Sequence, residues 1–172
     1  LDLLIEAAYE YVKLGNEPSS LKIDIVGKGA EREHLIALVR DLKLEESVTI
    51  HGWLDHQRVD ELMAQANVGA LTYRVCPHWN HTIPNKIFDY MLAGLPVLAT
   101  EVTPINRIIN ETKSGLVCRD LDIRDIAEKL QTLRCPELRS TLGNNGVNAV
   151  RAKYNWANDE QRLHAAVNSI AP

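Results

Sequence analysis

The chain lacks paired cysteines, an excess of basic charge and any long hydrophobic run, and each absence removes a class of protein. Cys76, Cys118 and Cys135 are odd in number and form no Cys-x-x-Cys pair, which argues against a disulfide framework and fits a reducing cytoplasm. The net charge of −4 argues against nucleic-acid binding, which needs a basic face to displace counterions from phosphates. No apolar run approaches the ~20 residues of a membrane-spanning helix, and no signal-peptide pattern is read in the opening residues. Internal repeats, low-complexity tracts and interdomain linkers are also missing. Asn80-His81-Thr82 and Asn110-Glu111-Thr112 match a glycosylation sequon, a pattern common by chance, and carry no weight here.

What is present fits one globular domain: 172 residues at 45% hydrophobic content can bury a sizeable core. Leu3, Leu4, Ala7, Ala8, Tyr11 and Leu14 recur with helical period, predicting a helix over 1–14 that ends at the Gly15–Ser20 turn. An α/β domain rarely opens on a finished core helix, so the chain is read as a fragment lacking the strand before Leu1. Strands are predicted at 21–26, 48–50, 68–72, 97–100 and 115–118. Helices are predicted at 30–42, 56–65, 84–93, 104–110, 123–133, 136–153 and 156–171, with 73–83 a polar loop. Val59, Leu62, Met63 and Ala66 are the expected buried face of the 56–65 helix, and Leu163, Ala166, Val167 and Ile170 that of the last helix.

Short β-branched strands alternating with helices predict an α/β, Rossmann-like, doubly wound parallel sheet of about five strands, flanked by helices. Right-handed crossovers place the strand C-termini on one edge, where ligands of open α/β sheets bind. Three groups fall there. Gly27 and Gly29 allow a tight turn and close approach of backbone to phosphate, with a plain strand-to-helix turn as the alternative. Trp53, following Gly52, offers an indole for stacking on a base or for rim packing. The segment from His81 to Val97 reads as a loop, a helix opened by Pro84, a Gly94 stop and a buried strand.

That segment is the most informative. A helix N-terminus attracts anions through open amides and its dipole, and Asn85 and Lys86 add donors. Asp89, one turn on, is suited to vicinal hydroxyls such as those of ribose. The competing reading is an i,i+3 surface pair with Lys86, worth ~0.2–0.5 kcal/mol. Cys76, His78 and His81 superficially suggest zinc, but no fourth ligand is evident, so no metal is expected. Glu101 and His81 stand as a spatial acid/base pair in one reading. No Ser-His-Asp or paired-carboxylate hydrolase arrangement is legible.

Together, Val26-Gly27-Lys28-Gly29-Ala30-Glu31-Arg32, Val48-Thr49-Ile50-His51-Gly52-Trp53, the His81–Val97 segment and Ser114-Gly115-Leu116-Val117 resemble the C-terminal half of a family 4 glycosyltransferase of two-domain GT-B architecture. The resemblance covers nearly the whole chain. It implies one donor-binding domain over 1–172, with 156–171 a crossover helix returning to an N-terminal acceptor domain and exposing apolar surface in the fragment. Gly27 and Gly29 then resemble the loop near the pyrophosphate, and Gly52 and Trp53 the turn beside the base. Asp89 falls on the second glutamate of an E-x7-E motif, toward ribose, and His81 stands where the first glutamate holds the sugar. Asn85 and Lys86 match a Pro-Asn-Lys variant found in bacterial surface polysaccharide synthesis, facing the donor.

The resemblance further implies retaining transfer from a nucleoside-diphosphate sugar, UDP- or GDP-linked, without metal or cofactor. The acceptor would be a saccharide or lipid-linked molecule, with the whole enzyme cytoplasmic or peripheral to the inner membrane face. The cations that neutralise the leaving diphosphate would precede the first helix. Two alternatives stay open: a GT-B sugar-nucleotide epimerase, and a non-catalytic module whose site has decayed at His81. A nicotinamide dehydrogenase fits poorly, because the third glycine and the acidic ribose residue are misplaced after Gly27.

Overall fold

A computed structural model describes residues 1–170. Helix α1 (Asp2–Lys13) leads into β1 (Ile23–Val26), α2 (Arg32–Asp41), β2 (Val48–Gly52), α3 (His56–Gln65) and β3 (Gly69–Leu71). Then come α4 (Pro77–Asn80), α5 (Lys86–Leu92), β4 (Val97–Thr100), α6 (Thr103–Thr112), β5 (Gly115–Cys118), α7 (Ile123–Thr132), α8 (Pro136–Ala152) and α9 (Trp156–Ile170). The alternation expected from the sequence is present. The fold is α/β with parallel strands flanked by helices.

The five strands form two hydrogen-bonded sets, β1–β2 and β3–β4–β5, each wholly parallel. No backbone ladder joins β1 to β3 among the described residues. The two sets still share one core. Leu3, Leu4, Ile5, Ala7 and Ala8 of α1 cluster with Ile23 and Ile25 of β1 and with Leu98 and Cys118 of β4 and β5. Leu98 is fully buried, since β4 is covered on both faces, and all four of its residues are buried.

Several expectations need correction. The loop over 73–83 contains the short helix α4, opened by Pro77 at its first position. Val59, Leu62, Met63 and Ala66 give α3 an apolar stripe, yet α3 buries none of its residues. Helix α9 likewise buries none: Leu163, Val167 and Ile170 are exposed, as is Trp156 at 70%. Its inner face is therefore an outer one, which agrees with the apolar surface expected there. Ala171 lies outside the described residues.

Helix α7 is fastened electrostatically. Asp122 caps it by accepting from the Asp125 amide at 2.9 Å. The Asp125 carboxylate accepts from the Arg119 amide at 2.8 Å and the Lys129 ammonium at 2.9 Å. Burial pushes the Asp125 pKa up, but those two bonds outweigh it and hold the acid below its ordinary value. A depressed carboxylate contributes stability above its unfolded pKa and loses it as pH falls through the folded one. Asp125→Asn is therefore expected to cost about 1–3 kcal/mol near neutral pH. The gap from the parent should close as pH falls below the ordinary aspartate range, as thermal unfolding across a pH series would show.

Candidate functional site

The Gly27 and Gly52 turns are bound together. The Gly27 amide donates to the Gly52 carbonyl at 2.7 Å. Both glycines adopt positive φ, 143° and 76°, which side chains rarely tolerate. The Lys28 ammonium sits 5.5 Å from the centre of the Trp53 ring, a cation–π contact between the two turns. Trp53 is otherwise 65% exposed. At Gly29 no unusual φ is needed, and an added Cβ at Gly27 or Gly29 would meet nothing within 4 Å. The loop presents open backbone.

The second group sits beyond β3 and before β4. Its base is rigid: Ile87 and Met91 of α5 are fully buried, and the Tyr90 ring lies against Gly69 of β3. Burial pushes the Tyr90 phenol pKa up, with the neighbouring Tyr73 and Asp89 charges adding to it. On this base His81, Asn85, Lys86 and Asp89 are all exposed. His81 closes α4 as its C-cap residue.

Two details differ from expectation. Helix α5 begins at Lys86 rather than Pro84, and Asn85 makes no side-chain cap. The Pro84 and Asn85 carbonyls already accept from the amides of Ile87, Phe88 and Asp89. Only the Asn85 and Lys86 amides stay open among the described residues, so the anion-attracting end is narrower than four free donors. The surface pair of the competing reading does not form. Among the described residues, i,i+3 ion pairs form at Lys13–Glu10, Arg58–Glu61, Arg119–Asp122 and Arg162–Asp159, not at Lys86–Asp89.

Glu101 does not meet His81. Its carboxylate accepts from the Asp120 amide at 3.0 Å. The zinc reading finds no cluster either, since no three His, Cys, Asp or Glu side chains gather as a metal site among the described residues.

A cavity of about 400 Å³ is lined by Leu1, Asp2, Glu31, His34, Leu35 and Arg74, none of them a residue of the two groups above. Glu31 and His34 follow β1, Arg74 follows β3, and Asp2 opens α1. The C-terminal ends of the two strand sets therefore meet here. Arg74 pairs with Asp2 across 72 positions of sequence. Asp2 and Arg74 carry no motif in the sequence; their one signal is a cation three positions beyond β3.

A family model described as "Glycosyl transferases group 1" matches residues 1–134. The chain belongs to that family. Group 1 relatives include an alpha-D-kanosaminyltransferase of Streptomyces kanamyceticus, 28% identical over 90% of this chain and 38% of its own length. An N-acetyl-alpha-D-glucosaminyl L-malate synthase of Bacillus anthracis is 25% identical over 77% of this chain and 33% of its own. The chain thus spans between a third and two-fifths of these relatives. In fold it is similar to sucrose-phosphate synthase of Thermosynechococcus elongatus, with TM-score 0.76 and 24% identity over 97% of this chain and 43% of that one. It is similar also to HepE of Anabaena, in complex with UDP, with TM-score 0.77 and 17% identity over 98% of this chain and 44% of that one. The group 1 domain described here has the Rossmann-like C-terminal fold of GT-B enzymes. No helix among the described residues is long and apolar enough to cross a membrane.

Proposed function

We propose that the chain is the donor-binding domain of a retaining glycosyltransferase that moves a sugar from a UDP- or GDP-sugar to a saccharide or lipid-linked acceptor, in bacterial surface polysaccharide synthesis. One observation carries the reading. Two groups of residues, one on the turns after β1 and β2 and one beyond β3, follow the C-terminal ends of parallel strands, where ligands of open α/β sheets bind. Trp53 stacks on the base, steadied by Lys28, and the open Gly27–Gly29 backbone approaches the diphosphate. Asp89 accepts from the ribose hydroxyls. Lys86 and the free amides beside it face the donor phosphates, and His81 faces the sugar. The UDP present in HepE, a protein of the same fold, supports a nucleotide ligand.

The chemistry assigned to these residues is electrostatic. Charge grows on the diphosphate as its bond to the sugar breaks, and fixed donors oppose it best in a site poor in water. The residues serve without a metal or cofactor. An acceptor and further cations come from other parts of the whole enzyme.

Titration calorimetry of this chain with UDP-glucose and GDP-mannose tests the proposal. Weak saturable binding of one, competed by the matching nucleoside diphosphate, is expected. Absence of binding to either would overturn it. Product analysis of the whole enzyme separates transfer from epimerisation: a new glycosidic linkage supports transfer, whereas an interconverted free sugar nucleotide does not.

A further inference from the structure

We infer that Asn80 is a positioning residue for His81, fastening the segment that carries it to the first turn of α6. The inference rests on the donor site proposed above.

The Asn80 Oδ1 accepts two bonds from Thr103, from its amide and from its hydroxyl, both at 3.2 Å. First-turn amides of a helix have no partner within the helix, and the N-cap residue of α6, Val102, has no side chain to supply one. Asn80 supplies it from 23 positions away in sequence. The anchor is firm, because Ile105 and Ile108 of α6 are fully buried.

The other end of the segment is fastened separately. The Thr100 hydroxyl, fully buried at the end of β4, donates to the Tyr73 carbonyl. The Tyr73 and Trp79 rings stack at 4.0 Å, and the Thr82 hydroxyl donates to the His78 carbonyl at 2.9 Å. The segment from Tyr73 to Thr82 is thus clamped on both sides. His81, immediately after the Asn80 clamp, is exposed and its ring makes no hydrogen bond among the described residues. Such a clamp fixes where the His81 backbone sits and so the region its imidazole can reach, and restricted placement is what a sugar-contacting group requires.

The test compares UDP-glucose with UDP, or the guanosine pair if the chain prefers it, by calorimetry on the parent chain and three variants. Asn80→Ala is expected to weaken the sugar nucleotide about tenfold, as loss of one oriented hydrogen bond would, and to leave the bare diphosphate unchanged. Asn80→Asp keeps the accepting oxygen and should restore the sugar-dependent affinity. Thr103→Val removes one of the two donors and should fall between. A general loss of structure would weaken both ligands equally, so that result overturns the inference. It is overturned as well if Asn80→Ala binds both ligands like the parent, or if Asn80→Asp does not rescue. If the parent binds neither ligand, the donor-site proposal itself fails and takes this one with it.

Discussion

Gly143→Ala is expected to destabilise the protein by about 4 kcal/mol or more, enough to unfold many small domains. Helix propensity argues the reverse, since alanine inside a helix is worth about 1 kcal/mol over glycine. Packing decides the sign. A Cβ at Gly143 would fall 2.0 Å from the Gly94 carbonyl oxygen and 2.9 Å from its carbon, and this is backbone, not a side chain that can rotate away. Gly94 cannot easily retreat, because it ends the α5 turn at φ 74°. Gly146, one helical turn on, would place a Cβ 3.2 Å from Met91 Cβ and Cγ and 3.3 Å from its Cα, a shift of only a few tenths of an ångström, so Gly146→Ala should be far milder. Denaturant unfolding of the two variants checks the contrast, and a Gly143→Ala protein as stable as the parent would refute it. Because α5 carries Lys86 and Asp89, any surviving fold should also lose its donor site.

Asp89→Ala and Lys86→Ala should each weaken nucleotide-sugar binding about tenfold to a hundredfold, the usual effect of removing a charged hydrogen-bond partner. Both residues are exposed and no ion pair joins them, so stability should change by no more than about 0.5 kcal/mol. Binding loss is therefore separable from unfolding. Asp89→Glu lengthens the side chain by one methylene while keeping the carboxylate, and should retain most of the affinity. The Lys86 effect should shrink with added salt, since exposed charge–phosphate attraction is screened. Calorimetry at low and high salt measures both, and unchanged affinity in Asp89→Ala would remove this residue from the site.

Much of this was legible in the chain alone. β4 and β5 begin shortly after Gly94-Leu95-Pro96 and directly after Ser114, and α8 begins at Pro136, because breakers act locally. The site residues were visible for a related reason: glycines, a proline-opened turn and a carboxylate at helical spacing sit at strand ends that the alternating pattern had already oriented. Less legible was α4, four residues long, whose pattern was too short to carry a period. The start of α5 also shifted, because Pro84 and Asn85 used their carbonyls for a turn ahead of the helix.

The sequence by itself determined the order of helices and strands and the parallel arrangement. Those follow from periodicity and breakers, which act over a few residues. Only the tertiary structure decided that the Gly27 and Gly52 turns share a hydrogen bond, that Asn80 fastens the His81 segment to α6, and that Arg74 meets Asp2. It also decided that the strands form two sets, with the apolar stripe of α3 only half-buried and α9 left exposed. Each of these joins residues far apart in the chain, and such contacts depend on how finished elements pack, which no local pattern records.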